Sequence, residues 1–156
     1  NYSKCLKIDP NHTNCYVGRG SVYYQIGNYN DAIDDFSRAI RTDPDYFEAY
    51  YNRGIAYDKL KDYKNAIDDY TRAIRLNPNY NDAYHNRAII YGRLGNYNDA
   101  IDDFSRVIKI DPNNTSGYLG RGASKENAGL PYCSDYKSAC DLGDELGCEW
   151  YYKNCK

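Results

Sequence analysis

Residues of one kind return along this chain every 34 positions, and a period of that length points to a repeat architecture. Pro44, Pro78 and Pro112 are 34 apart, as are Ala32, Ala66 and Ala100, and Tyr29, Tyr63 and Tyr97. Arg19, Arg53, Arg87 and Arg121 supply four members at the same spacing. Acidic pairs recur at Asp34-Asp35, Asp68-Asp69 and Asp102-Asp103.

Each repeat mixes small and aromatic residues at fixed places. Residues 47–80 supply Tyr50, Gly54, Tyr57, Ala66, Tyr70, Ala73 and Pro78. Residues 13–46 supply Tyr16, Gly20, Tyr23, Ala32, Phe36, Ala39 and Pro44. Residues 81–114 supply Tyr84, Ala88, Tyr91, Ala100, Phe104 and Pro112, with Val107 where the others have Ala. This pattern closely resembles the tetratricopeptide repeat family. The resemblance implies an all-α fold, a right-handed α-solenoid of antiparallel helical hairpins. The physics agrees. Small residues let helix backbones approach, and aromatics fill the space between them. The prolines cannot continue a helix, and the Asp-Pro and Asn-Pro stretches around them are turn chemistry. Gly27 and Gly95 suit left-handed caps at the ends of the first helices, where the middle repeat has Lys61.

The ends depart from the pattern. Residues 1–12 read as a partial repeat, the second helix of a hairpin. Residues 115–143 form a divergent repeat whose turn, Ala128-Gly129-Leu130-Pro131, is about two residues shorter. Pro131 is expected at the first position of its next helix, and residues 144–156 as a capping helix. The whole of 1–156 is expected as one solenoid. No Met occurs, so a processed product or a fragment is expected, with any targeting segment already removed.

The six cysteines lie towards the two ends. Cys133 and Cys140 are seven apart on one expected helix, Cys148 and Cys155 seven apart on the next, so each pair shares a helix face. Facing pairs form two rungs, Cys140–Cys148 near the turn and Cys133–Cys155 far from it. Cys5 and Cys15 flank a turn in the same relation, which favours a third bridge. The arrangement is similar to the stapled hairpins of secreted cysteine-rich solenoid proteins. Six reduced, buried thiols are the alternative. Zinc is disfavoured, since no Cys-x-x-Cys exists and both His12 and His85 are far in sequence from the cysteine cluster. Bridges imply an oxidising compartment, so the chain is expected to be secreted or extracellular. Sequons at Asn1, Asn11, Asn113 and Asn114 agree, and N-linked glycans are the one possible non-protein group; no cofactor is expected.

A net charge of −2 supplies no electrostatic reason for a nucleic-acid or anionic-membrane partner. No apolar run of about 18 residues exists to span a bilayer. No catalytic constellation, P-loop or dinucleotide fingerprint is present, so an enzyme is not expected. Arg19, Arg53, Arg87 and Arg121 are expected to pair with Asp35, Asp69, Asp103 and Asp135 inside the hairpins. The family resemblance implies a concave groove lined by the first helices. Its residues here are Val17, Ser21 and Tyr24; Glu48, Tyr51, Ile55 and Asp58; Asp82, His85 and Ile89; and Leu119 and Ala123. Chaperone-binding members clamp a peptide carboxylate with Lys, Asn and Arg; the matching places here are Val17, Tyr51, His85 and Leu119, and Ser21, Ile55, Ile89 and Ala123. That clamp is missing, which argues against a cochaperone role. The expected function is a non-catalytic scaffold whose partner is a protein or peptide. Head-to-tail self-association into a superhelix or fibre is the most concrete form. The alternative is a module that holds a partner's segment in its groove.

Overall fold

The computed structural model describes residues 2–156; Asn1 and the sequon it begins lie outside the described residues. Among the described residues ten α-helices and no strand are found. Two compact units divide the chain, Asn1–Tyr80 and Asn81–Lys156. The first holds α1 (Tyr2–Ile8), α2 (Thr13–Gln25), α3 (Tyr29–Thr42), α4 (Phe47–Lys59) and α5 (Tyr63–Leu76). The second holds α6 (Asn81–Arg93), α7 (Tyr97–Ile110), α8 (Thr115–Asn127), α9 (Cys133–Asp141) and α10 (Glu145–Asn154). Inside each unit every helix packs on the next, and α2 also meets α4, as α6 meets α8. This is the all-α helical-repeat fold that the periodicity implies.

Two backbone devices set the helix lengths. The residue before each repeat proline is forced out of the helical region. Asp43, Asn77 and Asp111 accordingly take ψ values of 95°, 91° and 96°, which end α3, α5 and α7. Other helices close on a residue of positive φ: Gly27 at 83°, Gly95 at 77°, Gly129 at 70° and Gly143 at 90°. After each, the next amide bonds back around the cap, as Asn28 N–H does to Tyr23 O at 2.9 Å. Lys61 performs the same turn at φ 61°, a conformation that costs an L side chain about 1 kcal/mol relative to Gly.

Side-chain size then sets the spacing between helices. Ala32, Ala39, Ala66, Ala73, Ala100 and Ala139 are fully buried, with Phe36, Tyr70, Phe104 and Tyr136 also in the core. A methyl group on Gly54 would lie 2.9 Å from the Tyr70 ring, so that helix crossing admits only hydrogen. One expectation fails at the last hairpin. Pro131 stands two residues ahead of α9 rather than in its first turn, and Tyr132 is the N-cap. The left-handed Gly129 is followed by three non-helical residues, Leu130, Pro131 and Tyr132, before α9 begins. The amide of Asp135 then bonds to Tyr132 O at 2.9 Å.

Candidate functional site

The hairpins α2–α3, α4–α5, α6–α7 and α8–α9 each carry one internal electrostatic clip. Arg19 grips Asp35 with Nε to Oδ2 at 2.6 Å and a second nitrogen to Oδ1 at 2.7 Å. Arg53–Asp69 and Arg87–Asp103 repeat that fork at 2.7–2.8 Å. Arg121 reaches Asp135 Oδ1 at 2.6 Å, across a turn shorter by two residues. Two neutral partners extend the pattern, with Arg53 bonded to Ser37 Oγ and Arg121 to Ser105 Oγ. Asp135 also faces Lys125 Nζ at 2.7 Å, although its Oδ2 has no aligned hydrogen bond. Burial raises the carboxyls of Asp69 and Asp103 above the ordinary range, in spite of the arginine bonds that lower them.

The clips also account for part of the tyrosine content, which is 20 residues in this sequence. Arg53 lies 5.8 and 5.9 Å from the rings of Tyr50 and Tyr57. Arg19 is flanked alike by Tyr16 and Tyr23, and Arg87 by Tyr84 and Tyr91. Residues three back and four on share one helix face, so a guanidinium between two tyrosines gains ring contact as well as its carboxylate. In the last hairpin burial, and then Glu126, push the Tyr136 hydroxyl up to about 12.

The groove residues separate into distinct roles. Ser21, Tyr24 and Ile55 come together around a cavity of about 160 Å³ between α2 and α4, closed by Gln25, Phe36 and Asn52. Phe36 is its core floor, and Gln25 and Asn52 were not foreseen from the sequence because they lie beside the family's groove places. Val17 packs on the cluster of Tyr16, Ala39 and Ala49. Tyr51 is not a free groove residue: its ring lies 5.8 Å from Tyr70 and 4.8 Å from Tyr80, and Tyr80 in turn meets Phe47. Glu48 and Asp58 are half-buried. In the second unit His85 stands edge-on to Phe104 at 5.7 Å, and Ile89 packs on Ala88, Ala100 and Phe104. Leu119 and Ala123 are half-buried and Asp82 is exposed.

Three disulfides are present, Cys5–Cys15, Cys133–Cys155 and Cys140–Cys148. The place of His12 corrects the sequence reading. It falls between the N-terminal pair, and its ring nitrogen and the sulfurs of Cys5 and Cys15 all lie within 4.8 Å of one another. Those sulfurs are bonded to each other and offer no free thiolate. Asn11 and Asn113 are exposed in turns. Asn114 has a structural duty, since its Oδ1 accepts from Gly117 N–H at 2.9 Å and caps α8. No helix of the described residues is long and apolar enough to cross a membrane.

Comparison with known proteins follows the same repeat. The family model described as tetratricopeptide repeat matches residues 47–80 and 82–114, and one described as TPR repeat matches 20–61. The crystal structure of MamA is similar with 32% identity and a TM-score of 0.87, covering 94% of this chain and 87% of that one. YrrB, titled a TPR protein with an unusual peptide-binding site, is 24% identical with a TM-score of 0.83 over 97% of this chain and 80% of its own, a likeness of fold. The first TPR of Spaghetti (RPAP3), bound to HSP90 peptide SRMEEVD, is 27% identical with a TM-score of 0.72 over 75% and 93% of the two chains. No curated protein matches the chain.

Proposed function

The chain belongs to the tetratricopeptide repeat family, a family of protein-interaction modules, and from that premise we propose that its first unit holds an apolar segment of a partner protein between α2 and α4. The cavity framed by Ser21, Tyr24 and Ile55 carries this reading. It has the size of one large side chain, and its lining includes the buried ring of Phe36 and the amide residues Gln25 and Asn52. An apolar anchor inside and polar groups outside is the ordinary plan of a peptide groove. The Spaghetti domain is bound to a peptide, SRMEEVD, that carries several carboxylates. Val17, Ser21, Tyr51 and Ile55 supply no cation for such a ligand, so the segment sought here is uncharged at its anchor.

Ile55→Asp tests this directly. A charge in the cavity should weaken capture of a peptide with a Leu or Phe anchor by at least about tenfold, because a buried carboxylate has no partner there. The circular dichroism spectrum should not change. Tyr51 is the poorer choice, since it supports Tyr70 in the core. Titration calorimetry that shows equal affinity for wild type and Ile55→Asp would count against the groove.

Self-association is a second reading, favoured by exposed apolar side chains. Leu146 and Trp150 stand four apart on α10, with Leu142 exposed in the turn before it, and Tyr2 and Ile8 are exposed on α1. In this reading α10 of one copy docks on α1 of another and the contact repeats without closing. Sedimentation velocity over micromolar to millimolar protein should then show growing species, which Leu142→Lys with Leu146→Lys abolishes. A single monomeric boundary throughout sinks it.

The three disulfides are consistent with an oxidising compartment. Secretion, with glycans on Asn11, Asn113 or Asn114, belongs to this proposal, and the intact mass of the natively produced protein reads the glycans.

A further inference from the structure

A basic recess of the first unit, about 490 Å³ in volume, opens between the α1–α2 turn and the C-terminal half of α3. We propose that it binds a tetrahedral oxyanion, the phosphate or sulfate of an ester on a sugar-sized group. Its walls are Pro10, Asn11, Tyr16, Arg38, Arg41 and Thr42.

The charge is uncompensated. Arg38 and Arg41 stand three apart on α3, which puts them on one face, and neither is ion-paired among the described residues. The next repeat behaves differently. Arg72 occupies the place of Arg38 and has Asp45 at 4.0 Å. One period before Asp45 the chain has Asn11, a neutral amide. The cleft thus offers a hydrogen-bonding group where its neighbour offers a carboxylate.

The α1–α2 side of the recess is held in place before any ligand arrives, while Arg38 and Arg41 are exposed on α3. Tyr16 donates its hydroxyl to Pro10 O at 2.9 Å, and Cys5–Cys15 ties α1 to α2. The Arg38 guanidinium rests 6.0 Å from the Tyr16 ring centre, with Arg19 at 5.9 Å from the same ring. Thr42 spends its proton on Arg38 O at 2.9 Å. Opposing charge lies in the next recess, and backbone hydrogen bonds orient it without cancelling it. Asp9 and Asp43 line the adjoining recess, where Asp9 accepts from Asn11 N–H and Asp43 from Asp45 N–H. The C-terminus of α3 adds about half a negative charge; the two guanidiniums are the charged groups of the lining itself, and both carboxylates stand outside it. Arginine forks donate to phosphate or sulfate oxygens from several directions, which suits a tetrahedral group approached from two sides.

The test uses the oxidised full chain with Asn11 unmodified, since a glycan there would stand at the mouth of the cleft. Glucose 6-phosphate and glucose 6-sulfate are titrated at constant ionic strength, and the arginine Nε–H resonances are followed by NMR. Saturable shifts at Arg38 and Arg41, with a midpoint near ~1 mM and none at Arg72 or Arg75, support the proposal. Saturation by one ester alone names the source. Arg38→Gln should weaken binding at least about tenfold. Asn11→Asp, which restores the carboxylate of the next repeat, should do the same without touching either arginine. Shifts that rise linearly, that are equal at Arg72 and Arg75, or that survive both variants overturn it, as does silence with both esters.

Discussion

Reduction of the disulfides with a strong dithiol should release α10 and leave α2 to α8 folded. The last helix has ten residues and buries only Gly147. A helix of that length is marginal by itself in water. What retains it is a stack of Trp150 on Tyr136 at 5.6 Å and two bridges to the α9 segment, one near the turn and one at the far end. Each bridge contributes about 2–4 kcal/mol by restricting the unfolded chain. Without them the entropy of ordering this helix is opposed by the Asp144 cap, the packing of Gly147 on Ala139 and the ring stack, with Tyr151 only half-buried. Trp150 is the single tryptophan of the sequence and reports on this helix directly. Its emission should move to the red on reduction, with a loss of helical signal confined to about ten residues. Unchanged Trp150 emission in a sample whose mass shows every thiol free would falsify this account.

Removal of Asp135 should be the most damaging single substitution in the second unit. Its carboxylate is 1% exposed and faces two cations, Arg121 and Lys125. Truncation to Ala leaves both cations half-buried without their shared counter-charge. Breaking a buried pair from one side costs about 3–5 kcal/mol. Replacing the whole cluster is different in kind. Arg121→Met, Lys125→Met and Asp135→Leu together remove the desolvated charges along with their attraction, and such exchanges are often neutral or stabilising. Urea unfolding should therefore show a large loss for Asp135→Ala and recovery in the triple variant. A loss under about 1 kcal/mol for the single change would mean that water already reaches this clip.

The period made most of the local architecture legible, because a regular repeat ties residue type to place. Helices begin at Thr13, Phe47, Asn81 and Thr115, one period apart. The partners of Arg19, Arg53, Arg87 and Arg121 followed for the same reason, since two residues equidistant from a hairpin turn must face each other. Features set by one side chain's direction were not legible. Lys125 joins Asp135 from the place where the other repeats carry Tyr23, Tyr57 and Tyr91, a local exception to the repeat. Tyr51 faces its neighbours' rings instead of the groove, a choice between rotamers that spacing does not decide. His12 is remote from the four C-terminal cysteines in sequence, yet it stands between Cys5 and Cys15, and the fold of that short turn brings its ring to their sulfurs. The place of Pro131 depended on backbone angles after Gly129, where three non-helical residues precede α9.

A hairpin with its own clip is electrically self-contained. Inside each 34-residue copy the clip places one arginine against one buried aspartate, already matched. Duplication of such a segment therefore enlarges the protein without building up interior charge, the neighbouring copy supplying at most a neutral serine. Growth or loss by whole copies leaves every surviving hairpin's interior balanced, which makes copy number a variable that evolution can change freely.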